Sequence, residues 1–237
     1  MKPEERFPQV VNALKEKGVT FAVVGGLAAR YYRGDNRLTK DVDIAIDGIP
    51  NPSAFAKSLM QRFGLAVFVS DKAHLEGKLF ANRKQFRSPT FIIFYCLFRR
   101  LFRFKYSTEM MIGGQSKGKP DLDICLPSAA WVPDAVKNAQ NNMVDFGFGE
   151  VPLVRVEDLI LGKMISLSSA HPRDHDVDDI QTILNKQKNF DFLYLANRIK
   201  ELNIGFPFDS QKLTMKSLLE VKRWAYIPLC SVAPIPK

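Results

Sequence analysis

Asp41 and Asp43 stand two residues apart around the start of an apolar run that ends at Ile46, and the pair Gly25-Gly26 closes an earlier apolar run from Phe21. Side chains alternate faces along a strand, so the two carboxylates project the same way, roughly 6 to 7 Å apart. Paired oxygen ligands suit Mg²⁺, which is commonly held by one or two carboxylates together with substrate phosphates. Glycines at a helix N-terminus let the backbone come close to the β- and γ-phosphates, whose charge the helix end favours. Thr39 can donate its hydroxyl hydrogen bond to the same phosphates. Further on, Asp121-Leu122-Asp123-Ile124-Cys125-Leu126 repeats the acidic strand pattern, again with two carboxylates expected on one face.

Three carboxylates from two neighbouring strands would chelate one or two Mg²⁺ ions, the arrangement that phosphoryl and nucleotidyl transfer use. Asp41 and Asp43 would ligate both ions. Asp123 would bind only the ion at the nucleophile and help take its proton, and Asp121 is the competing choice for that third position.

The elements around these residues follow from periodicity. Phe7, Val10, Val11 and Leu14 lie at helical spacing over residues 3 to 17, with Gly18 as a stop. Thr20 to Val24 reads as a buried strand and Leu27 to Arg33 as a short helix ended by Gly34. Asp41 to Ile46 is the next strand. Ser53 is expected to cap a helix that Gly64 terminates, and Leu65 to Val69 reads as a further strand. Strands alternating with helices imply an α/β (α+β) domain. GGQSKGKP, from Gly113 to Pro120, reads as a flexible loop. After Pro127 and Pro133 the pattern turns helical over roughly 133–142, 157–169, 174–186, 190–203 and 209–226, with an extended piece from Pro152 to Val156.

The net charge of +9 favours anionic partners such as nucleic acid, nucleotides or acidic lipid. From Gly77 to Thr108 every charged residue is basic, and the apolar run FIIFYCLF lies inside that segment. The segment reads as a buried strand or hairpin with solvated basic ends, as a groove for nucleic-acid or nucleotide phosphates, or as a membrane-surface or partner-docking helix. Cys96, Cys125 and Cys230 lack the short paired spacings of zinc sites and read as reduced thiols. His74, His171 and His175 do not cluster with other ligand types. Trp131 and Trp224 read as packing residues. The start, MKPEERFPQV, has no signal-peptide core, so a cytoplasmic location is expected. No apolar run approaches the roughly 20 residues of a membrane span.

Gly25-Gly26, Ala28, Arg37, Thr39, Asp41 and Asp43 together resemble the signature of the polymerase-β-type nucleotidyltransferase superfamily. Within it they are most similar to the small bacterial branch that includes AbiEii-type abortive-infection toxins and aminoglycoside nucleotidyltransferases. The resemblance covers residues 19–47 and, more loosely, 121–184. It implies a mixed β-sheet core flanked by helices, Mg²⁺, an NTP donor and transfer of NMP to a hydroxyl acceptor. That acceptor could be a tRNA or other RNA end, a protein or a small molecule. The expected organisation is a catalytic domain over 1–128, a helical C-terminal domain over 129–226 and an extended tail over 227–237, with the site between the first two. A rival expectation is a non-catalytic module of the same fold that binds nucleic acid or a protein partner through residues 77–108.

Lys163 falls inside the apolar stripe formed by Leu159, Ile160, Met164 and Leu167, and Asp176 falls between Ile180 and Ile183, with Asp179 beside it. Charges there are costly unless paired or met by a ligand. One reading is an ion pair that fixes two helices. The other, favoured by a family pattern matched here as His175-Asp176-Val177-Asp178-Asp179, has Lys163 meet the nucleotide phosphates and Asp176 orient it.

Overall fold

A computed structural model describes residues 3–35, 39–76, 105–117, 119–167 and 174–204. The first half runs α1 (Pro3–Glu16), β1 (Thr20–Val23), α2 (Gly25–Arg33), β2 (Val42–Asp47), α3 (Pro52–Arg62), β3 (Ala66–Glu76), β4 (Lys105–Ser116) and β5 (Lys119–Cys125). The second half runs α4 (Val132–Ala139), β6 (Met143–Asp145), β7 (Glu150–Pro152), α5 (Val156–Leu167), α6 (Asp174–Lys186) and α7 (Phe192–Glu201). The expected α/β class holds. A five-stranded sheet has the order β1-β2-β5-β4-β3, in which β2 and β5 are parallel and the other pairs antiparallel. The strands β6 and β7 form a separate hairpin.

The two faces of the sheet have different work. Ile44, Ile124 and Ile112 stand in one register row across β2, β5 and β4, and all three are fully buried. On that same face a Cβ at Gly114 would meet Leu65 and Met60, at 2.8 and 3.1 Å from their nearest atoms, so α3 and its C-terminal turn close over the sheet there. The next row, on the opposite face, reads Phe68, Gly113, Asp123 and Asp43 across β3, β4, β5 and β2.

Three local expectations are corrected. Gly113 to Pro120 is not a flexible loop: Gly113–Ser116 completes β4, Lys117 turns the chain at φ 51° and Lys119 begins β5. The glycines serve packing here, because the ring of Phe68 and the side chains of Leu65 and Met60 occupy the space that Cβ atoms would need. The helix α3 is capped by Asn51, whose side chain accepts from the Ala54 N–H, with Pro52 opening the first turn, and not by Ser53. Nor do Asp121 and Asp123 share a face. Between Gly114↔Leu122 and Gln115↔Pro120 the register shifts, leaving Asp121 as the extra residue of a β-bulge that interrupts the alternation.

Buried apolar packing is continuous across residue 128. One cluster runs from Phe7 to Ile199, α4 lies against β1 and β2, and the Val154 N–H donates to the Val23 carbonyl at 3.0 Å. Trp131 is half-buried against this core, as a packing residue. No described helix is long and apolar enough to cross a membrane. Arg37, most of the basic segment (77–104), His171, Trp224, Cys96, Cys230, the expected helix over 209–226 and the tail over 227–237 lie outside the described residues.

Candidate active site

Asp43 and Asp123 face each other across the parallel pair β2 and β5, and Asp41 sits just before β2 begins. Each of the three half-buried carboxylates offers an oxygen, and these oxygens all lie within 4.8 Å of one another. Three like charges this close repel one another unless a cation sits among them. An all-oxygen donor set of this kind fits a hard divalent ion such as Mg²⁺.

The backbone before α2 is shaped around Asp43. The Gly26 N–H donates to Asp43 Oδ2 at 2.9 Å, which uses an otherwise unsatisfied donor of the helix N-terminus to aim the carboxylate. Gly25 adopts φ +57°, and a Cβ on it would fall 2.0 Å from Asp43 Oδ2. Only glycine combines that backbone conformation with that approach. Thr39 likewise engages Asp41: its Oγ1 lies 3.0 Å from the Asp41 carbonyl and 3.3 Å from Asp41 Oδ1. The glycines and the threonine thus orient the acids directly.

Asp121, the competing third carboxylate, is held elsewhere. It is buried against α1, where Arg6 Nε lies 2.8 Å from its Oδ1 and Arg6 Nη2 3.5 Å from its Oδ2. The guanidinium also stacks over the ring of Phe63, 5.2 Å from the centroid. This buried pair joins α1 to β5 at the bulge, and Asp123 is the acid that joins Asp41 and Asp43.

Lys163 is buried on α5 with its ammonium 2.8 Å from Asp176 Oδ1 and 2.6 Å from Asp179 Oδ2, both on α6. The Ser166 hydroxyl adds a hydrogen bond to Asp176 Oδ2 at 3.0 Å. The ion pair expected as one of two readings is therefore present, enlarged by Asp179. Asp179 also accepts from Arg33 Nη1 at 2.9 Å, and the same guanidinium reaches Asp178 at 2.6 Å and Asp35 at 2.9 Å. Burial works against the Arg33 charge, but the hydrogen bonds to Asp178 and Asp35 outweigh it and push its pKa up. Helix α2 is thus tied at both ends, to Asp43 through Gly26 and to α6 through Arg33. The sequence held no signal for Arg33, since Arg30 in the same last turn has the same local credentials, and none for Arg6.

A second polar cluster lies around α4, α5 and α7. Asp158, buried on α5, accepts from Tyr194 Oη at 2.6 Å and from Asn138 Nδ2 at 3.0 Å. Burial pushes the Asp158 carboxyl up, more than these two donors pull it down. Nearby, Tyr32, Asn138, Asn142, Arg155 and Glu157 help line an open cleft of about 490 Å³. Tyr32 belongs to the C-terminal turn of α2, so this cleft lies at the opposite end of that helix from Gly26 and the acidic group.

Comparison with known proteins bears on this geometry. The model of a family described as nucleotidyl transferase AbiEii toxin, type IV toxin–antitoxin system, matches residues 10–214. No curated protein matches the chain. Among solved structures, an antigenic nucleotidyltransferase-like protein from Paracoccidioides brasiliensis is 16% identical, with a TM-score of 0.43, over 92% of this chain and 92% of that one. JHP933 from Helicobacter pylori is 13% identical, with a TM-score of 0.40, over 94% of this chain and 88% of that one.

Proposed function

Because the chain belongs to the AbiEii family of nucleotidyl transferase toxins, we propose that it transfers NMP from an NTP to a hydroxyl acceptor at the Asp41, Asp43 and Asp123 cluster. The observation that carries this reading is the meeting of three carboxylate oxygens within 4.8 Å beside the N-terminus of α2. Asp41, Asp43 and Asp123 would hold Mg²⁺, which when bound neutralises phosphate charge and eases deprotonation of the attacking hydroxyl.

The chain's own groups divide the remaining work. Asp123 stands next to the nucleophile and takes up its proton. Gly25 and Gly26 bring the donor phosphates close to the backbone while holding Asp43 in place, and Thr39 does the same for Asp41. Lys163 has three ammonium donors, of which Asp176 and Asp179 take two. In this reading the third meets a donor phosphate, and Asp176 orients the ammonium.

The test is incubation with α-labelled NTPs, Mg²⁺ and candidate acceptors of the RNA, protein and small-molecule classes. Label transfer is expected from the wild type and not from Asp41→Asn or Asp43→Asn. Equal transfer by both variants would overturn the assignment. Salt-sensitive RNA binding without any metal-dependent NTP binding would move the protein to the non-catalytic reading instead.

A further inference from the structure

Phe68 ends the register row that contains the acids. Asp43 pairs with Asp123, Asp123 with Gly113 and Gly113 with Phe68, so all four project from one face of the sheet. The Asp43 end adjoins the glycine turn of α2. Phe68 stands at the other end, beyond Asp123.

Glycine at 113 makes room for the ring. A Cβ built there would lie 2.2 Å from Phe68 Cζ and 2.6 and 2.7 Å from its two Cε atoms. The tip of the ring therefore covers the backbone of β4, one strand spacing, about 4.8 Å, from Asp123. Its neighbours Val67 and Val69 point the other way and pack against the hydrophobic core, while Phe68, half-buried like them, is not part of that packing. A flat apolar wall beside a carboxylate cluster is a surface for a planar ligand group.

We propose that Phe68 is the acceptor-side platform of the site, on which the terminal base of a single-stranded RNA stacks while its sugar hydroxyl lies at Asp123. This rests on the transfer reading above, because it takes the α2 end of the row as the donor side. RNA is favoured over a protein or small-molecule acceptor on two grounds. An aromatic face supports stacking with any base. The net charge of +9 draws polyanions to the protein.

The experiment uses the full chain as wild type, Phe68→Leu and Phe68→Trp. The probes are a short fluorescent single-stranded RNA with a normal 3′ nucleotide and the same RNA with an abasic 3′ nucleotide. Affinity is read by anisotropy with Ca²⁺ present, and binding of the four NTPs with Mg²⁺ is read in parallel by calorimetry. Phe68→Leu is expected to weaken the normal RNA about tenfold or more, Phe68→Trp to restore it, and NTP affinity to stay near wild type in both. The abasic RNA should bind all three proteins equally weakly. Unchanged RNA affinity in Phe68→Leu, a parallel loss of NTP affinity in that variant, or no RNA binding by the wild type overturns the platform. Failure of the wild type to bind any NTP with Mg²⁺ would instead count against the transfer reading itself.

Discussion

Asp43 and Asp123 are direct partners across a parallel strand pair, although α3, β3 and β4 come between them in the chain. Parallel strands joined this way need a long connection, and here the connection supplies both α3, which covers the sheet's apolar face, and β4, which packs β5 from its other side. The register decides the chemistry, since a slip of one residue would send Asp123 to the face held by Ile44 and Ile124. That the pair falls on Asp43 and not one position away is what allows Asp41, Asp43 and Asp123 to act as one group.

Gly25→Ala should disable the site by displacing the Asp43 carboxylate. Its Cβ would fall 2.0 Å from Asp43 Oδ2 at a φ of +57°. The backbone strain alone is about 1–2 kcal/mol, and the carboxylate must move to admit the methyl. Calorimetry should show metal-dependent NTP binding lost, with the circular dichroism spectrum unchanged.

The two acids of β5 should separate cleanly. Asp121→Asn removes the countercharge of buried Arg6 and should lower stability in urea, by up to about 3–5 kcal/mol, while label transfer stays near wild type. Asp123→Asn should cut transfer about 10²-fold or more and leave the urea midpoint little changed. The reverse pattern would make Asp121 the working carboxylate.

Lys163→Met leaves Asp176 and Asp179 buried together without their shared cation. Breaking a buried ion pair in this way costs about 3–5 kcal/mol, which urea denaturation would measure. Adding Asp176→Asn should recover part of the loss, because one stranded charge is then gone. A Lys163→Met protein as stable as wild type would mean that the lysine serves only the nucleotide.

Asp158 should make stability fall as pH rises. Its carboxyl titrates above the ordinary aspartate value of 3.8 in the folded chain, chiefly through burial. Between the unfolded and folded values the native state binds more protons than the unfolded state, so stability decreases through that window as pH increases. The difference in stability between wild type and Asp158→Asn, followed by urea denaturation over a pH series, should therefore shrink as pH rises through it. A difference that grows would reverse the sign of the shift.

Local pattern was enough to find half of the site. Strand alternation, the glycine pair and the spacing from Thr39 through Asp41 to Asp43 depend on chain geometry over a few residues, and the α/β class follows from the alternation of periods. Choosing Asp123 over Asp121 needed the bulge in β5, which exists only in relation to the register of β4. Composition marks Gly113-Gly114 as loop-forming, yet both are strand residues because Phe68, Met60 and Leu65 fill the space on either side. A charge within an apolar helix stripe showed that Lys163 must have a partner. Asp176 was legible as that partner by the same reasoning, but that Asp179 shares the lysine, and that Arg33 joins from α2, was decided by how three helices pack, because hydrogen bonds between elements depend on relative placement that no single element encodes.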